Sequence, residues 1–128
     1  MQANDPPSAG FSITAGALLA AAAVALGAFG AHAMKDAYDE GALRTFETGV
    51  RYQMYHALAL VLCGLLERVG VRARAAATMF AVGVALFSGS LYGLALLDLK
   101  WLGPVTPIGG VAFLAGWTLL ALAARKRA

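Results

Sequence analysis

His32 and His56 are the chain's two histidines, and imidazoles on facing helices can ligate haem iron or a metal ion. Arg51 stands five residues before His56 in the run Arg51-Tyr52-Gln53-Met54-Tyr55-His56, with Glu47 one helical turn earlier. On one reading Arg51, with Tyr55 and His56, lines a polar pocket for an anion or a lipid head group, and Arg51 and His56 could relay a proton. The same residues also have a plain structural reading. Glu47 and Arg51 form an i,i+4 pair closing one end of a bundle, the tyrosines anchor at an interface, and each histidine is a buried, hydrogen-bonded imidazole. Both readings stand for the cluster His32, Glu47, Arg51, Tyr52, Tyr55 and His56.

The elements that must position these groups follow from composition. Of 128 residues, 60% are hydrophobic and 13% charged, against about 45–50% and about 25% in an ordinary soluble domain. Such a chain needs a bilayer as solvent. At about 20 residues per spanning helix, four spans fit and six do not. A single cysteine excludes a disulfide scaffold, and Cys63, inside an apolar run, reads as a small hydrophobe.

Residues 1–10 read as a disordered polar lead, followed by spans at about 11–34, 48–66, 75–97 and 107–124 and a basic tail at 125–128. The first span carries Gly27 and Gly30, the third Gly89 and Gly93, and the fourth Ala112 and Gly116. These small residues let membrane helices approach closely, within one chain or between subunits. The second span has a clean apolar run only from Ala57 to Leu66, so a full crossing draws Arg51 to His56 to membrane depth. Leu43, Phe46, Val50, Met54, Ala57 and Val61 repeat every three or four residues, which predicts a helix beginning near Asp39 or Glu40. A short helix lying flat and breaking at Gly49 fits equally. Thr106-Pro107 reads as the start of the last helix, with Thr as its cap. Counting helical rise from Ser12 and Glu67 puts the two histidines roughly 13 Å apart in depth, which argues against a shared cofactor.

The net charge of +3 comes from basic residues at helix ends, not from a clustered nucleic-acid face. With four spans, Arg68, Arg72, Arg74, Arg125, Lys126 and Arg127 share one side, against Lys35, Arg44, Arg51 and Lys100 opposite. The positive-inside rule then predicts both termini in the cytoplasm. Ala31-His32-Ala33 mimics a signal-peptidase site, but no Lys or Arg precedes the apolar run, so the first span is expected to be retained.

Four stretches carry a family resemblance: Gly27-Ala28-Phe29-Gly30-Ala31-His32-Ala33, Thr48 to Leu60, Leu86 to Tyr92, and Leu102 to Gly110. Together they resemble the domain-of-unknown-function family 423, whose eukaryotic relatives are called transmembrane protein 256. The resemblance implies a small multi-span protein of the bacterial inner membrane and carries no activity, ligand or catalytic residue. Walker-type, HExxH, CxxC and Gly-x-Ser-x-Gly signatures are absent from the sequence. The expectation is an all-α integral membrane four-helix bundle, non-enzymatic and without a cofactor. It would associate in the lipid as a homo-oligomer or as an accessory subunit of a larger complex. A small oligomeric transporter or channel for an anion or a proton-coupled solute, and a haem or metal protein, are the alternatives.

Overall fold

The structure, a computed structural model, describes residues 4–127. Four rods run antiparallel: α1 (Pro7–His32), α2 (Glu40–Arg68), a third rod made of α3 (Arg74–Gly83), a π-helical turn (Val84–Ser88) and α4 (Gly89–Leu97), and finally α5 (Val105–Arg127). A short 3-10 turn, Lys100–Leu102, precedes α5. No strand occurs among the described residues.

Each boundary has a local cause. Pro7 opens α1, where a missing N–H costs no helical hydrogen bond. The helix thus begins inside the stretch expected to be disordered; residues 1–3 and Ala128 of the two expected tails lie outside the described residues. Asp39 caps α2 by accepting from the Ala42 N–H at 2.7 Å. From there α2 runs unbroken through Gly49 to Arg68, so no flat interfacial helix forms. It ends in a Schellman turn, with Gly70 at φ 89° and the Val71 N–H reaching the Leu66 carbonyl at 3.0 Å. Asp98, at φ 52°, stops α4 in the left-handed region. The last helix starts at Val105, and Thr106 is not its cap. Its hydroxyl pairs with that of Ser90 at 2.6 Å.

Among the described residues, three helical stretches are long and apolar enough to cross a membrane: Pro7–His32, Arg74–Leu97 and Lys100–Lys126. The fourth rod, α2, is too polar to qualify alone, yet it is the central one, packing against α1, α3 and α4. Its 29 residues present two faces inward. The expected stripe of Val50, Ala57 and Val61 faces α1. A second stripe, Phe46, Gly49, Gln53, His56, Leu60, Cys63 and Glu67, repeats at alternating three and four residues and is buried at every position.

Close backbone approach sets the register. A Cβ at Gly16 would lie 2.6 Å from the Ala57 carbonyl oxygen, and one at Gly64 would lie 2.6 Å from that of Ala9. These positions admit only glycine, and they pin α1 against α2. Between the third rod and α5 the same role falls to Gly116, against Phe80, and to Gly109, against the Phe87 backbone. The α1 start, the α2–α3 connection and the α5 end therefore share one end of the bundle. Two contacts tie that end: the Ser8 hydroxyl donates to Glu67 Oε2 at 2.6 Å, and Arg68 Nε lies 3.1 Å from Asp5 Oδ2.

Candidate functional site

The polar residues that the bundle gathers lie along the inner stripe of α2. Gln53 faces two rods at once. Its Nε2 donates to the Leu19 carbonyl of α1 at 2.9 Å, and its Oε1 accepts from the Tyr92 hydroxyl of α4 at 2.6 Å. One turn earlier, the Ser88 hydroxyl at the end of the π-turn donates to the Gly49 carbonyl at 2.6 Å. One turn later sits His56, 3% exposed, with Phe113 of α5 stacked on it at 3.5 Å between ring centroids and 9° between planes.

The hydrogen bonds of His56 assign its tautomer. Trp117 Nε1–H can only donate, so His56 Nε2, 3.1 Å away, accepts. The proton of the neutral ring therefore sits on Nδ1, which donates to the Tyr52 carbonyl at 2.8 Å. Nδ1 carries the proton and the Nε2 lone pair is taken by Trp117, so in this arrangement the ring offers a metal no free lone pair. Among the described residues, no buried side-chain nitrogen or oxygen lacks a hydrogen-bond partner. In a hydrocarbon solvent such satisfaction is what holds a polar seam inside a helix bundle. The arrangement locks four rods together at mid-height.

The structure divides the cluster expected from sequence. His56 is inside, whereas Glu47, Arg51 and His32 are exposed, and Tyr52 and Tyr55 are 36% and 52% exposed. Arg51 and His56 are five residues apart on one helix, which turns them about 140° from each other. They do not line one pocket. Among the described residues Arg51 forms no ion pair with Glu47, Asp36 or Asp98; the Glu40–Arg44 pair does form, at 3.9 Å on the surface. His56 lies level with Leu19 and Gly16 of α1, so His32, thirteen or more residues further along, is about 20 Å away along the axis. The two histidines of one chain cannot share an iron or metal ion.

The small residues divide as well. Gly27 and Gly30 face Val50 and Phe46 of α2, while Ala112 and Gly116 are buried on α5. Gly93 does not meet another rod; it is covered by Leu102 of its own connection. Gly89 is open, with nothing within 4 Å of a Cβ there, so Gly89 and Gly93 are not a helix-crossing pair within the chain. Sequence reasoning passed over Gln53, Ser88 and Tyr92 as a connected set, and Trp117 altogether. The alternating three- and four-residue spacing of Phe46, Gly49, Gln53, His56, Leu60 and Cys63 was the available signal for the first.

The fold and its buried polar seam define the class: an all-α integral membrane helical bundle. The family model described as "Protein of unknown function (DUF423)" matches residues 26–110, and the chain belongs to that family. It is 45% identical over 118 residues to the UPF0382 membrane protein YwdK of Bacillus subtilis, covering 89% of this chain and 95% of that one. It is 43% identical over 115 residues to a UPF0382 membrane protein of Staphylococcus epidermidis, covering 89% and 94%. With the UPF0382 inner membrane protein YgdD of Escherichia coli K12 it shares 42% identity over 103 residues, 79% of each chain. No solved structure matches the chain.

Proposed function

We propose that the chain is a non-enzymatic protein of the inner membrane that works by helix association, as a homo-oligomer or as an accessory subunit of a membrane complex. The observation that carries this reading is the outward stripe of α2. Arg44, Glu47, Arg51, Tyr55, Leu58, Leu62 and Leu65 follow at three- and four-residue steps and are all exposed. Val50 packs on Gly27, which places Arg51 about 9 Å inside the end of α1. A guanidinium at that depth, without an ion pair among the described residues, is costly against lipid and calls for an opposite charge. The stripe supplies one in a second copy. Two parallel α2 helices meeting on this face bring Arg51 of each beside Glu47 of the other, above a seam of leucines.

Placement in the inner membrane is supported by the family and by the name of the Escherichia coli relative. The end holding Arg68, Arg72, Arg74, Arg125 and Lys126 faces the cytoplasm under the positive-inside rule, with both termini on that side.

The test is a count of subunits by native mass spectrometry of the full chain from mild detergent. Glu47→Arg and Arg51→Glu should each shift the protein toward monomer, and the two together should restore the oligomer or its companion protein. A wild-type protein that is a bare monomer at every concentration refutes the proposal.

A further inference from the structure

The bundle is unevenly closed at the end where α1 starts. There α1 and α3 both rest on α2 but barely touch each other, which leaves a sideways-opening groove of about 750 Å³. Its walls and floor are mostly apolar, with Phe11 and Ala15 of α1, Leu60 of α2, and Ala77, Ala81 and Val82 of α3, interrupted by the hydroxyls of Ser8, Ser12 and Thr78. Arg74 stands at its rim. The same arginine lines a second apolar cleft on the other flank of α3, with Met79 and Leu119. Ala75 and Leu119 connect that cleft to a cavity of about 410 Å³ bordered by Arg72 and Lys126.

The charge at this end is unbalanced. Its two acids are engaged within the chain, Asp5 by Arg68 and Glu67 by the Ser8 hydroxyl. Arg72, Arg74 and Lys126 are exposed and join no ion pair among the described residues. Cations at the end of a spanning bundle, above apolar clefts open to the side, match an anionic amphiphile with its charge at the interface and its tails in hydrocarbon.

We infer that this end of the molecule binds an anionic glycerophospholipid astride α3, with the phosphate held by Arg72, Arg74 and Lys126 and an acyl chain in the groove between α1 and α3. A zwitterionic lipid presents the same tails with no net charge for the three cations, so head-group charge decides selectivity. Each cation near the surface contributes about fivefold to that preference.

The experiment is native mass spectrometry of the full chain in mild detergent with an equal mixture of phosphatidylglycerol and phosphatidylcholine. Wild type should retain phosphatidylglycerol at least several-fold over phosphatidylcholine, with the preference falling as salt is raised. Arg72→Gln with Arg74→Gln should lower it sharply, leaving only the share of Lys126, while Lys100→Gln at the opposite end should not change it. Ala81→Phe, which fills the groove and leaves the cations in place, should lower retention of both lipids. Equal retention of the two lipids by wild type overturns the inference, as does a preference unchanged in the double variant. If Ala81→Phe alters the subunit count and not the lipid count, the groove holds a second copy and the inference is wrong. Should the double variant fail to fold, the wild-type ratio and its salt dependence decide alone.

Discussion

Gly16 offers the sharpest test of how α1 and α2 are joined. An added methyl would sit 2.6 Å from the Ala57 carbonyl oxygen and 2.9 Å from the Val61 nitrogen, where ordinary contact begins at 3.4 Å. Both obstacles are backbone, so no rotamer change relieves them; the helices must part by up to about 0.8 Å, at a cost of about 1–3 kcal/mol. Gly64→Ala meets the Ala9 carbonyl oxygen at the same 2.6 Å and should cost a similar amount. One separation of the two helices relieves both clashes, so the double variant should lose clearly less than the two single losses combined. Reversible unfolding in mixed detergent micelles, followed by far-ultraviolet circular dichroism, measures all three. Gly89→Ala is the control. With nothing within 4 Å, it should be neutral or gain up to about 1 kcal/mol from helix propensity. Gly16→Ala behaving like Gly89→Ala, or strict additivity of the two interface changes, would show that this contact does not set the register.

Three further outcomes follow from the same geometry. Gly70→Ala forces a side chain into a φ of 89° and should lower stability by about 1 kcal/mol in the same unfolding assay, with no change in subunit count. Gln53→Leu removes both the Leu19 and Tyr92 contacts and should destabilise the bundle by about 0.6–1.7 kcal/mol; a stabilised Leu variant would show the seam to be dispensable. Trp117→Phe takes the donor from His56 Nε2, so a ¹⁵N shift of that nitrogen should change while the Nδ1 resonance holds. An unchanged Nε2 would contradict the assigned tautomer.

The helices themselves were legible because bilayer thickness and apolar run length are one-dimensional quantities. The start of α2 at Glu40 was readable from the stripe through Leu43, Phe46 and Val50. The orientation of Arg51 was not. A charge in an apolar run suggests burial, but burial depends on which side of the helix the other rods occupy, and that is set by distant glycines such as Gly16 and Gly64. The π-turn was equally hidden. Buried positions 76, 80, 84 and 88 come every fourth residue, more than the 3.6 of a regular α-helix, and the wider turn at Val84–Ser88 absorbs the excess. That drift aims the Ser88 hydroxyl at Gly49. Recognising it requires knowing in advance which face is inside. Thr106 misled for a local reason: a cap signal in sequence does not reveal that the hydroxyl has a partner on another rod.

The central position of α2 bears on how the chain is made. A segment carrying Glu40, Arg44, Glu47 and Arg51 is a poor candidate to leave the translocation machinery by itself, whereas the three neighbouring rods are good ones. During synthesis it must wait for company: α1 comes first and offers the glycine track, and the serine and tyrosine that satisfy Gly49 and Gln53 emerge later. Insertion of this protein is therefore expected to be cooperative, with α2 entering the lipid as a passenger of its neighbours.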